Sequence, residues 1–61
     1  MTTTEVSDLF FNSRQIEDAY DDGEVDEARL HKAATEFLDM YPSLRDDINE
    51  EWLVNDYKAR V

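Results

Sequence analysis

The chain has no cysteine, one glycine, one proline and one histidine. It can form neither a disulfide nor a thiolate metal site, and a lone imidazole cannot build a histidine cage, so the usual staples of small domains are missing. Stability must come from packing or from a partner. Basic residues are scarce as well: six Lys and Arg against sixteen Asp and Glu leave a net charge of -10. Binding to DNA, RNA or an anionic membrane would set like charge against like, which leaves basic protein surfaces or cations as partners. The longest uninterrupted apolar stretches, Leu9 to Phe11 and Trp52 to Val54, are three residues each. Neither a signal-peptide core nor a membrane span is expected, and the expected location is cytoplasmic.

What is present is enough to fold. Seven aromatic residues (Phe10, Phe11, Phe37, Tyr20, Tyr41, Tyr57 and Trp52) argue against disorder in spite of the charge. A chain of 61 residues holds one small domain, residues 1–61, that buries only about 60% of its unfolded surface. Val6, Leu9, Phe10, Ser13, Ile16 and Tyr20 follow helical spacing and predict a helix from about Thr4 to Asp21. Gly23 supplies the left-handed residue that commonly closes a helix. Leu30, Ala33, Ala34, Phe37, Leu38 and Tyr41 form the cleanest apolar face, which Pro42 ends. Ser43 is the expected cap of a third helix with Asp46 and Asp47 in its first turn. The predicted fold is all-α, a helical hairpin plus a C-terminal helix. Its expected core comprises Leu9, Phe10, Ile16, Tyr20, Leu30, Ala33, Ala34, Phe37, Leu38, Tyr41, Leu44, Ile48 and Trp52.

The third segment has two apolar stripes. Leu44, Ile48 and Trp52 lie together, whereas Leu53, Val54, Tyr57 and Val61 lie nearly opposite. Either the chain changes direction near Asn49 to Glu51 so that both stripes reach the core, or the second stripe is a docking or dimer face.

No catalytic or cofactor signature is found. Gly23 to Ala28 resembles the inter-helix turn of a tetratricopeptide repeat, but the interval from Ala28 to Pro42 is two residues too long, Lys32 stands where a large residue belongs, and no second copy follows. An EF-hand register starting at Asp18 puts Tyr20 third and Arg29 twelfth, where the ion needs oxygen ligands. His31, four residues after Glu27, reads as a surface Glu/His pair rather than a general base. Ser7 and Ser13 lack a partnering base. No enzyme, metal or cofactor is expected.

The strongest signal is acidic. Glu17, Asp18, Asp21, Asp22, Glu24, Asp26 and Glu27 place seven carboxylates in eleven residues without a Lys or Arg. On the predicted helices Glu24, Asp26 and Glu27 favour a helix N-terminus, while Glu17, Asp18, Asp21 and Asp22 oppose the dipole of a C-terminus and repel one another at i, i+4 spacing. Asp46/Glu50 and Asp47/Glu51 repeat that repulsion. In character such a chain resembles the phage and mobile-element proteins that mimic DNA and occupy the basic groove of a nuclease, repressor or polymerase. The expectation is a small protein-binding inhibitor that uses those seven residues. The alternative is a helical adapter or homodimer that docks through Leu53, Val54, Tyr57 and Val61, with acidity serving solubility or halophily.

Overall fold

Thr2 starts the first helix, its hydroxyl accepting the Glu5 N–H at 3.2 Å. A computed structural model describes residues 2–61. Helix α1 (Thr3–Phe11) buries Val6, Ser7 and Phe10. It stops far short of the expected Asp21, for a local reason. Asn12 Nδ2 donates to the Asp8 carbonyl at 2.9 Å and Ser13 Oγ to the Phe10 carbonyl at 2.7 Å. These side-chain bonds satisfy carbonyls at the helix end, and Ser13 leaves it in an extended conformation. A short 3-10 helix, Arg14–Ala19, follows and buries Ile16 and Ala19.

The chain next makes a small antiparallel ribbon, β1 (Tyr20–Asp21) and β2 (Glu24–Val25), with Tyr20 opposite Val25 and Asp21 opposite Glu24. The two-residue loop has Asp22 at φ 53° and Gly23 at φ 82°. Two left-handed residues in succession are what a type I′ hairpin loop requires, and Asp-Gly is a preferred pair for it. Gly23 therefore turns a hairpin and does not close a helix.

Asp26 caps α2 (Glu27–Met40), accepting the Arg29 N–H at 3.0 Å. Leu30, Ala33, Ala34, Phe37 and Leu38 are all buried, as the spacing predicts. After Pro42–Asp46, a 3-10 helix without a side-chain cap, the chain turns at Asn49, which is extended. Asn49 Oδ1 accepts the Trp52 N–H at 2.8 Å and starts α3 (Glu50–Arg60). Asn49 is thus the third cap, not Ser43, and Glu50 and Glu51 occupy the first turn that Asp46 and Asp47 were expected to fill. Lys58 and Arg60 fall in the last turn, complementing the dipole.

The result is a mostly helical globule, 33 × 20 × 17 Å, with one minor two-stranded sheet. No helix among the described residues is long and apolar enough to cross a membrane. Helix α3 runs antiparallel to α2, because Glu50 meets His31 and Thr35 while Lys58 meets Glu27. The turn at Asn49 brings both stripes of the third segment inward. Leu53, Val54 and Tyr57 are buried with Val6, Ala19 and Ile48, while Leu44 and Trp52 pack half-buried against the same core. Phe10 sets its ring edge-on to Phe37 and Tyr57, at centroid distances of 5.2 and 6.0 Å. Leu9, Tyr20 and Tyr41, expected inside, lie at the surface.

Candidate protein-binding surface

The seven acids of the run occupy three kinds of backbone. Glu17 and Asp18 ride on the 3-10 helix, Asp21, Asp22 and Glu24 on the hairpin, and Asp26 and Glu27 at the start of α2. None stands at the C-terminus of a long helix, so the expected conflict with a helix dipole is absent. The i, i+4 pairs disappear for the same reason: Glu17 and Asp21 share no helix, nor do Asp18 and Asp22, Asp46 and Glu50, or Asp47 and Glu51.

A different conflict takes its place. Asp21 and Glu24 are directly opposed across the ribbon, and like charges so placed destabilise a two-stranded sheet. No cation within ion-pair distance relieves them among the described residues. Four pairs are formed elsewhere: Arg60 with Asp8 at 2.7 Å, Lys58 with Glu27 at 3.2 Å, Arg45 with Asp39, and His31 with Glu50 at 2.9 Å. Asp26 is engaged in capping and Glu27 in its Lys58 pair. Glu17, Asp18, Asp21, Asp22 and Glu24 remain exposed and unpaired among the described residues. The structure moves Glu24 into the unexplained group, because it lies in β2 and not in a helix.

The hairpin is anchored, so these charges are held in place. Tyr20 and Tyr57 share a hydrogen bond through their hydroxyls, and the Asp26 N–H donates to the Ala19 carbonyl at 2.8 Å. Burial pushes the Tyr57 phenol up to about 12, with the Tyr20 hydrogen bond adding to the effect. A neutral phenol therefore ties the ribbon to α3 throughout the neutral range. On one side the acidic surface meets a groove of about 660 Å³ lined in part by Asp18, Asp26, Arg29, Lys32 and Glu36. Two cations thus interrupt the negative face along α2.

The remaining candidates resolve structurally. His31 pairs with Glu50 and not with Glu27, and the Thr35 hydroxyl donates to the same carboxylate. The Thr35 hydrogen bond, followed by that from His31, holds the Glu50 carboxyl below its usual value. Ser7 donates to Asp56, and Ser13 to a backbone carbonyl. Among the described residues no three metal-ligating side chains converge. Leu53, Val54 and Tyr57 belong to the core and offer no free docking face; of that set only Val61 is exposed. Periodicity could not reveal that Leu9 and Tyr41 stay outside; Met40, which falls off the α2 stripe, is exposed as well.

No known protein family, curated protein or solved structure matches the chain. Its class is set by fold and surface alone: a small, acidic, mostly helical domain with an unpaired carboxylate hairpin.

Proposed function

We propose that this protein is a non-enzymatic binding factor, working without cofactor in the cytoplasm, that inhibits a nucleic-acid-binding protein by occupying its basic surface in the manner of a DNA mimic. The observation that carries the proposal is the Asp21/Glu24 pair, opposed across an anchored ribbon and flanked by Glu17, Asp18 and Asp22, none of them in an ion pair among the described residues. A single lysine at either position would remove the repulsion, so the arrangement makes sense where a partner supplies the positive charge. Charge density supports the same reading. Seven of the sixteen acids fall within the eleven residues Glu17 to Glu27 without a Lys or Arg, so the negative charge is concentrated on the hairpin and its flanks. The adapter alternative would require Leu53, Val54 and Tyr57 to leave the core.

The test follows from the conflict. Glu24→Lys combined with Asp22→Asn turns the repulsive pair into an attractive one and keeps a residue that tolerates positive φ in the loop. The variant should gain about 0.2–1 kcal/mol in stability and lose its partner. With the wild-type chain immobilised, basic nucleic-acid-binding proteins from extract should be retained at low salt and released by duplex DNA or by NaCl near ~0.5 M. Retention of the same proteins by the variant would refute the proposal.

A further inference from the structure

Three of the chain's six basic residues, Arg45, Lys58 and Arg60, form ion pairs with carboxylates. Of the other three, Arg29 and Lys32 stand on the exposed face of α2, where i, i+3 spacing makes them neighbours. They line the groove of about 660 Å³ that borders the acidic hairpin, together with Asp18, Asp26 and Glu36. The small side chains of Ala28 and Ala33 leave its floor low. Neither cation lies within ion-pair distance of a carboxylate among the described residues. Lys32 and Glu36 have the i, i+4 spacing at which helical pairs form, yet they do not close. Asp26 Oδ1 accepts the Arg29 backbone N–H at 3.0 Å and leaves the guanidinium free.

Positive charge at this place is what a chain aimed at any basic surface would lack. A uniformly basic partner seated on the hairpin and reaching along α2 sets its own cations against Arg29 and Lys32, and like charges brought together in an interface disfavour that partner. We infer that these two residues determine specificity, and that the partner carries a carboxylate, set within its basic surface, that faces this groove. The inference rests on the function proposed above and narrows it.

Charge selects what carries the carboxylate. A free phosphate or nucleotide would have to reach the two cations past three carboxylates and against a net charge of -10, which acts over about 10 Å at 0.1 M salt. A carboxylate borne on a basic surface arrives with the compensating charge around it. The surrounding cations meet Asp18, Asp26 and Glu36, while the acid meets Arg29 and Lys32. Such a match in both signs also fixes where along α2 the partner sits. Exposed pairs of this kind are individually weak, so the two together should change affinity by about tenfold.

The test sets local charge against overall charge. Arg29→Gln with Lys32→Gln makes the chain more acidic, and so does a control of equal net charge, Arg14→Gln with Arg45→Gln. All four positions are exposed, and circular dichroism should show both variants folded. Each chain is immobilised at low salt and offered polylysine, a wholly basic probe, and the basic nucleic-acid-binding proteins of an extract; the main protein retained by the wild type is identified, purified and titrated against all three. The groove variant should bind polylysine more tightly than the control does, because the repulsive element is gone. It should bind the retained protein about tenfold more weakly than the wild type, although it is the more acidic chain, whereas the control should bind that protein at least as well as the wild type. A groove variant that holds the retained protein undiminished, or that gains no more on polylysine than the control, overturns the inference and leaves the proposed function standing. A wild-type chain that retains no basic nucleic-acid-binding protein refutes the proposed function, and this inference with it.

Discussion

Asp22 and Gly23 carry the conformational cost of the hairpin, and the cost differs between them. Both have positive φ, yet nothing lies within 4 Å of where a Gly23 side chain would begin. The objection to a side chain there is backbone strain alone. Gly23→Ala should cost about 1–2 kcal/mol, measured by urea denaturation, whereas Asp22→Asn should stay within about 0.5 kcal/mol of the wild type. An alanine variant of undiminished stability would mean that the loop does not keep two left-handed residues in solution. Asp22 thus has a conformational reason to be Asp or Asn, and its charge says less about function than its place in the run suggests. Asp21 and Glu24 have no such reason. Their backbone is ordinary strand, where almost any side chain would serve, and so the two are the more informative acids.

At the scale of elements, the joints decided what could be read from the sequence. Helix α2 was legible because its apolar spacing is uninterrupted over the twelve residues from Leu30 to Tyr41 and Pro42 ends it. The first segment misleads because Val6, Phe10 and Ile16 keep helical spacing while Asn12 and Ser13 end the helix between them through side-chain bonds to the backbone. The hairpin was half legible: Asp-Gly is its sequence signal, but strands of two residues are too short for any alternation to show. The opposed stripes of the third segment allowed either a change of direction near Asn49 to Glu51 or a docking face, and the structure places a joint at Asn49. Glu50, at the start of α3, accepts hydrogen bonds from Thr35 and His31 of α2. Those bonds favour the ionised carboxylate and hold its pKa below 4.5. Because the folded value is the lower one, the contribution is present in full above about pH 4.5 and is lost as pH falls through the folded value. Thr35→Val should therefore lower the unfolding temperature at neutral pH, and the gap to the wild type should close as pH falls through the folded value of Glu50. A gap that persists undiminished in acid would assign the Thr35 effect to packing.

The whole molecule is small and strongly charged, and those two properties set its response to salt. With 61 residues and no disulfide, it has little stability in reserve. A change of about 1 kcal/mol moves the melting temperature of a domain this size by about 4–8 °C. Two salt-sensitive effects compete. The four ion pairs are at least one-third exposed on every side chain, and such pairs contribute about 0–1 kcal/mol each and weaken with salt. Against them stands the self-repulsion of ten net charges. At 0.01 M salt the screening length is about 30 Å, nearly the 33 Å length of the molecule, so every carboxylate feels most of the others. At 1 M it is about 3 Å and only neighbours interact. Repulsion is the larger effect because ten of the sixteen acids have no compensating Lys or Arg anywhere in the chain. The melting temperature should rise by several degrees between ~0.01 and ~0.5 M NaCl. It should rise less in Glu24→Lys with Asp22→Asn, whose net charge is smaller and whose hairpin pair is attractive. A melting temperature that falls with salt would mean that the ion pairs outweigh the repulsion, and the unpaired hairpin acids would then cost the fold too little to need a partner.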